Sequence, residues 1–322
     1  MSTPTLPLRP LGHTRLRVPT LCIGAAALGN MPEAFAYEVA ESQALATIRA
    51  VFTGPIPFLD TAAIYGDGES ERRIGVVVRE MGGLPDGFVL ATKADRDPRT
   101  NDFSAGMIRR SVERSLQLLG LEKLQLVYLH DPENGDFSQL TGPGGAVEAL
   151  RRCQEEGLID HLGVAGGPIG LLIRYAELGI FEAVISHNRY TLLNTSANPL
   201  WDLCRERNIA AVNAAPYGSG ILAKGTADSP RYAYQSAEGE LLERARALEA
   251  ICARYGAPLG AAALQFSLRD PRITSTIVGI TQPERLAGTV AWAEYPIPDA
   301  CWEELGTITP TTEDPEEHRW GS

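Results

Sequence analysis

The sequence is short of paired cysteines, of positive charge and of long apolar runs, and each shortage removes a class of function. Its five cysteines, at 22, 153, 204, 252 and 301, are odd in number and scattered, with no C-x-x-C. That argues against a disulfide framework and for free thiols in a reducing cytoplasm. The five histidines show no metal-ligand spacing, so no metal is expected. Lys and Arg number 29 against 40 Asp and Glu, a formal charge of −11. Such a field repels a phosphate backbone, which argues against a nucleic-acid partner. Arg109-Arg110 and Arg151-Arg152 fall within helical patterns and read as solvated faces. No apolar stretch approaches the ~18 residues that a membrane span needs. The first ten residues show no basic segment followed by an apolar one, so no secretory leader is expected.

What is present is a long alternation of strand and helix signals over 322 residues, 44% of them apolar and 21% charged. Short apolar runs at Thr20–Gly24, Pro57–Asp60, Phe88–Thr92, Gln125–His130, His161–Ala165, Ala183–His187, Ile209–Ala214 and Thr274–Val278 have the pattern of strands buried on both sides. Amphipathic segments lie between them. Ser104 to Leu119 is the clearest, with Ile108, Val112, Leu116 and Leu119 on one face and Ser104 as a cap. Gly145–Glu156, Ser196–Arg207 and Glu238–Tyr255 read similarly. Eight strands alternating with helices, without a break in composition, predict one α/β domain closed as a (β/α)8 TIM barrel over residues 1–309. Leu8–Pro10 and Arg15–Val18, joined through Gly12, predict an N-terminal β-hairpin. Gly218–Ala237 reads as a long functional loop. Residues 310–322 are acidic and contain proline, a composition that favours disorder.

Barrel enzymes carry their chemistry at the C-terminal ends of strands. The second strand runs out as Asp60-Thr61-Ala62-Ala63-Ile64-Tyr65-Gly66, the third as Ala91-Thr92-Lys93, and the fourth as Leu129-His130-Asp131. Asp60, Tyr65, Lys93 and His130 can therefore meet at one corner of the barrel mouth. Singly, each has an ordinary reading as a turn, packing or surface residue. Together they form an acid–base unit. Lysine beside a phenol favours phenolate, a carboxylate holds the lysine, and a histidine orients the substrate oxygen. Such a unit exchanges protons but not hydride, and so calls for a nicotinamide cofactor.

These strand ends, with Leu8-Arg9-Pro10-Leu11-Gly12 before them and Ile277-Val278-Gly279 after, resemble the signature of the aldo-keto reductase family over nearly the whole chain. The resemblance implies Asp60, Tyr65, Lys93 and His130 as the catalytic tetrad, with Tyr65 as acid or base. It implies cofactor contacts at Gly24, Asp60, His187, Pro216, Tyr217, Gly218, Ser219, Gly220, Gly279, Thr281, Gln282 and Arg285. The sequence departs from the common pattern in three places. Gly163-Val164-Ala165-Gly166-Gly167-Pro168 replaces a Ser-Asn pair, His187 replaces a Gln, and Ala214 replaces a stacking Tyr before Pro216. Recognition of the carboxamide then falls to His187, Asn188 or backbone groups.

The segments 188–193, 218–223, 231–234 and 261–266, with His130-Asp131-Pro132-Glu133, are similar to a subgroup that oxidises sugars at C1. Its members act on D-threo-aldoses or L-galactose, or on pyridoxal. The implied reaction takes an aldose C1 hydroxyl to a lactone, with Asp131, Asn188, Tyr190 and Tyr217 as candidate lining. The cofactor is NAD or NADP. NAD is favoured because a customary Lys is absent from Gly279-Ile280-Thr281-Gln282-Pro283-Glu284-Arg285 and only Arg285 remains for a 2′-phosphate. The alternatives are an NADPH-dependent reductase of aldehydes or ketones, and a non-catalytic cofactor-sensing subunit. A monomer or small homo-oligomer in the cytoplasm is expected. The match of Gly218-x-Gly220-x-x-Ala223 to a dinucleotide fingerprint lacks the strand–helix–strand setting and reads as a loop.

Overall fold

Alternate residues of a strand point to opposite faces, so in a closed barrel one phase fills the interior and the other meets the surrounding helices. The computed structural model describes residues 6–317. Its strands are β1 (Leu8–Pro10), β2 (Arg17–Pro19), β3 (Leu21–Gly24), β4 (Phe58–Asp60), β5 (Val89–Ala94), β6 (Leu124–His130), β7 (Ile159–Gly166), β8 (Ala183–His187), β9 (Ala210–Ala214), β10 (Arg231–Tyr232), β11 (Gln235–Ser236) and β12 (Ile273–Gly279). Eight of them close a parallel barrel in the order β12-β3-β4-β5-β6-β7-β8-β9. Each run read from the sequence as a barrel strand is one, with ends that move by up to two residues.

The inward phase is identified by the barrel's own core. Cys22, Phe58, Val89, Ala91, Leu126, Tyr128, Ala183, Ile185, Ala210, Val212 and Ile277 form one buried cluster. Ile23, Leu59, Leu90, Val127, Leu129 and Val184 belong to the outer cluster beneath the helices. Continuing the inward phase to each strand's C-terminal end reaches Gly24, Asp60, Lys93, His130, His187, Ala214 and Gly279. The site residues are thus the last rung of the interior ladder.

The hairpin β1–β2 closes the opposite end, with Leu11 and Val18 fully buried against the inner cluster. Its turn needs Gly12, where φ is +57° and a Cβ would lie 2.6 Å from Glu182 O. Helix Ala105–Leu119 starts as its sequence suggests, with Ser104 accepting from Met107 N at 3.3 Å.

Two expectations need correction. The stretch 218–237 is not plain loop. It holds a 3-10 turn at Gly218–Gly220, a short helix at Ile221–Lys224 and the antiparallel pair β10–β11. The acidic stretch 310–317, taken as a candidate for disorder, is tied to the barrel. Arg189 is fully buried, and its guanidinium donates to Asp314 Oδ1 at 2.5 Å and Glu316 Oε2 at 2.9 Å. A buried cation needs compensating carboxylates, and the tail supplies them. Residues 318–322 of that expectation lie outside the described residues.

Candidate active site

Register brings the strand ends together. Gly24 pairs with Asp60, Asp60 with Ala91, and Lys93 with Tyr128, one turn of the ladder below His130. Lys93 Nζ donates to Asp60 Oδ1 at 2.5 Å, to Thr61 O at 2.7 Å and to Tyr65 OH at 3.2 Å. Lys93 is 3% exposed, Asp60 4% and His130 6%. The Tyr65 and His130 rings meet edge to face at 5.7 Å. The structure therefore brings all four tetrad candidates into one group.

Tyr65 lies past the strand, on a turn held by its neighbours. Its carbonyl accepts from Ser70 N, and its amide donates to Ala62 O. The next residue, Gly66, has φ +62°, and a Cβ there would lie 2.0 Å from Gly29 O. Only glycine satisfies both the conformation and the contact.

The sequence leads one to expect a phenol made more acidic by lysine. In this arrangement burial raises the Tyr65 pKa, Lys93 pulls it back, and Asp60 pushes it up again, so it ends above the ordinary value. Burial also works against the Lys93 ammonium. Asp60 and Tyr65 outweigh it, and the lysine is held more firmly charged than usual. Asp60 is raised by burial and partly restored by Lys93. The lysine thus counteracts a desolvation cost that would otherwise keep the phenol inert.

His130 has a partner that inspection of the sequence missed. Its Nδ1 lies 2.6 Å from Asp95 Oδ1, within hydrogen-bond distance, and Asp95 is 3% exposed. Asp95 Oδ2 accepts from Ile64 N at 2.9 Å, and Asp95 N donates to Ser111 Oγ at 2.9 Å. The signal was available: Asp95 continues the inward phase two residues beyond Lys93. On the other side, Asp131 Oδ1 lies 3.6 Å from His130 Nε2.

Of the residues proposed to hold a nicotinamide cofactor, Gly24 and Gly279 lie at strand ends beside Asp60. Gly24 pairs with Gly279. Gly279 has open space where a Cβ would stand, while one on Gly24 would strike Ile277 at 2.9 Å. This rim is bare backbone, which a flat ring can approach closely. At Gly218 a Cβ would meet the Tyr232 ring at 2.4 Å, so the 3-10 turn also requires glycine. Burial raises the Tyr217 phenol and the charge of Arg285 pulls it back. Among the described residues, Asp60 Oδ2, Asn188 Oδ1 and Tyr217 OH are buried without a partner. A ligand that offers donors would satisfy the first two, which only accept, and the phenol can donate or accept; this suits the amide and hydroxyl groups of a dinucleotide.

Three candidates also bond within the protein. Ser219 Oγ accepts from Tyr234 N at 2.8 Å, so it closes its own loop. Thr281 O accepts from Gln43 Nε2 at 2.8 Å and Thr47 Oγ1 at 3.1 Å, which fixes the backbone before Gln282. His187 Nδ1 lies 3.3 Å from Asn188 Nδ2 and 3.5 Å from Glu316 Oε2. Burial lowers its pKa, which favours the neutral ring. Asp131, Glu133 and His187 bring one polar atom each within 4.8 Å of one another. Burial and Asp131 push the Glu133 carboxyl up to about 7, while Glu133 Oε1 accepts from Gly167 N at 2.8 Å.

The family model described as "Aldo/keto reductase family" matches residues 20–309. A D-threo-aldose 1-dehydrogenase of Pseudomonas sp is 31% identical, covering 90% of this chain and 94% of the relative. An L-galactose dehydrogenase of Arabidopsis thaliana is 29% identical, covering 88% and 87%. The holo form of an aldo-keto reductase from Bacillus halodurans superposes with a TM-score of 0.77 over 98% of this chain and 99% of that one, at 22% identity. That last likeness speaks to the fold.

Proposed function

Because the chain belongs to the aldo/keto reductase family, we propose that this oxidoreductase takes hydride from C1 of an aldose, giving the lactone, with Tyr65 as the base. The observation that carries the reading is the position of Lys93 Nζ, shared between Asp60 Oδ1 and Tyr65 OH. A bound nicotinamide accepts hydride in oxidation and supplies it in reduction.

The chain's own residues account for the rest. Tyr65 removes the proton from the anomeric hydroxyl, and Lys93 stabilises the phenolate that Tyr65 must present to do so. Asp60 keeps Lys93 charged and fixed. His130 faces the same oxygen. Asp131 and Glu133 offer acceptors to neighbouring hydroxyls, chemistry suited to a polyol rather than to a plain aldehyde. Two relatives that share most of the chain's length are dehydrogenases of sugars, and they support the same reading.

The cofactor is held by Gly24 and Gly279 at the bare rim, by the 216–220 loop and by the 281–285 segment, with His187 or Asn188 toward the carboxamide. Arg285 is the one cationic side chain of 279–285, so the site accepts NAD and prefers it to NADP. The test is NADH and NADPH formation with L-fucose, L-galactose, D-arabinose and pyridoxal at mildly alkaline pH, with Tyr65→Phe as control. Robust NAD reduction with one sugar, lost in the variant, supports the reading. Carbonyl reduction alone, without sugar oxidation, overturns it.

One observation favours a second reading, a reductase of small aldehydes or ketones. His130 is placed between two carboxylates that favour its cation, and a cationic imidazole binds a carbonyl oxygen well.

A further inference from the structure

Asp95 bonds at once to the imidazole that faces substrate and to the turn that carries the catalytic phenol. A carboxylate has no proton to give, so the His130 nitrogen at 2.6 Å from Asp95 Oδ1 must be the donor. The carboxylate cannot swing away, because its second oxygen is taken by Ile64 N and its backbone amide by Ser111 Oγ. Ile64 immediately precedes Tyr65.

We propose that Asp95 is a positioning residue that fixes the proton of His130 on Nδ1, so that the substrate-facing Nε2 donates a hydrogen bond only when the ring is cationic and accepts one when it is neutral. The inference rests on the proposed role of His130 at the substrate oxygen, but its tautomer can be read without any turnover. A carbonyl oxygen needs a donor. Binding of a carbonyl substrate therefore follows the cationic ring, whereas a hydroxyl-bearing substrate can meet either form.

The groups around His130 agree with this assignment. Burial works against its charge, and Asp131 and Asp95 outweigh burial, so its pKa lies above the ordinary value while Lys93 pulls it down. Asp60 faces it from the end of β4, the Tyr65 ring from the following turn, Glu133 from the loop after β6 and His187 from the end of β8. Among these, only Asp95 bonds to Nδ1. The others change how readily the ring charges, but not which nitrogen keeps the proton.

The variant Asp95→Asn separates the two functions. Its amide oxygen can still accept from Ile64 N, while its NH2 donates to Nδ1 and drives the remaining proton to Nε2. The neutral ring of D95N then becomes a donor. The direct measurement is the 15N spectrum of histidine-labelled protein across pH, with His130 assigned by its loss in His130→Asn.

The wild type should show the Nδ1–H tautomer above its titration. D95N should show Nε2–H, with the midpoint lowered by roughly one unit or more, the usual effect of removing an adjacent opposite charge. In parallel, kcat/KM for reduction of 4-nitrobenzaldehyde should fall with rising pH in the wild type along the His130 titration. That limb should move or vanish in D95N, and Asp95→Glu should restore it in part. A merely structural Asp95 would lower the thermal midpoint and leave tautomer and limb where they are, which overturns the proposal. So does an Nε2–H tautomer in the wild type, a result that holds even if D95N does not fold. Failure of sugar oxidation would count against the proposed substrate and would leave the 15N result standing.

Discussion

Arg189 and Glu316 meet at 2.9 Å across 127 residues of sequence, with the arginine side chain 0% and the glutamate side chain 1% exposed. Arg189 also donates to His187 O at 3.1 Å, and Glu316 Oε2 itself lies 3.5 Å from His187 Nδ1, so the tail reaches the rim of the site both through the arginine and directly. Breaking one partner of a buried pair leaves the other uncompensated, at a cost of about 3–5 kcal/mol. Arg189→Ala should lower stability by that order, measured as a fall in the urea midpoint at unchanged m-value. A loss below about 1 kcal/mol, the range of exposed pairs, would show that the tail does not seat on the barrel.

Lys93→Met should be damaging on two counts. It removes the counter-charge of Asp60, which is buried and already holds one oxygen without a partner, and it removes the donor to Tyr65. Turnover should fall by about 100-fold or more, with a loss of stability that Asp60→Asn in the same chain partly repairs. Kinetics and a melting curve on the single and double variants check both. Full activity in the single variant would remove lysine from the mechanism.

The Tyr65 turn should tolerate no Cβ at Gly66. The left-handed conformation costs a side-chain-bearing residue about 1–2 kcal/mol, and contact with Gly29 O adds to it. Gly66→Ala should therefore lose activity out of proportion to its loss of stability, because the residue that moves is adjacent to the phenol. A comparison of kcat with the thermal midpoint reads this. Wild-type kcat would mean that the turn relaxes without moving Tyr65.

Glu71, fully buried behind β5, accepts from Thr92 Oγ1 at 2.5 Å, and burial pushes its pKa up from 4.5 to about 7. The folded state therefore binds this proton more tightly than the unfolded chain. Stability contributed by the protonated form is present below the unfolded value and declines as pH rises towards and through about 7. Glu71→Gln should flatten the fall in stability between pH 4.5 and about 7, leaving the part due to Glu133. Urea midpoints across that range test it, and an unchanged slope would mean that Glu71 titrates normally.

Much of the candidate site could be read from the sequence because a barrel strand has a two-residue period and a defined end. Asp60, Lys93, His130 and His187 all fall on the inward phase at strand ends, where composition changes abruptly from Val and Leu to charge. Asp95 lies on that phase too, but two residues past Lys93 in what reads as loop, and only the fold reveals that a histidine from the next strand meets it. The tail was misread for a different reason. Its acidity is typical of a solvated segment, and nothing local in the sequence says that Arg189 is buried and needs those carboxylates. The 218–237 segment hid its short elements because two-residue strands and a single helical turn have no periodicity to show.

The central claim is tested most directly by isotope transfer. Incubation with NAD and an aldose carrying deuterium at C1 should move that deuterium to the nicotinamide and release the lactone, and Tyr65→Phe should suppress the transfer while still binding NAD. Wild-type enzyme that reduces carbonyls yet moves no deuterium from any C1-labelled aldose, or a Tyr65→Phe variant that moves it at the wild-type rate, would contradict the account.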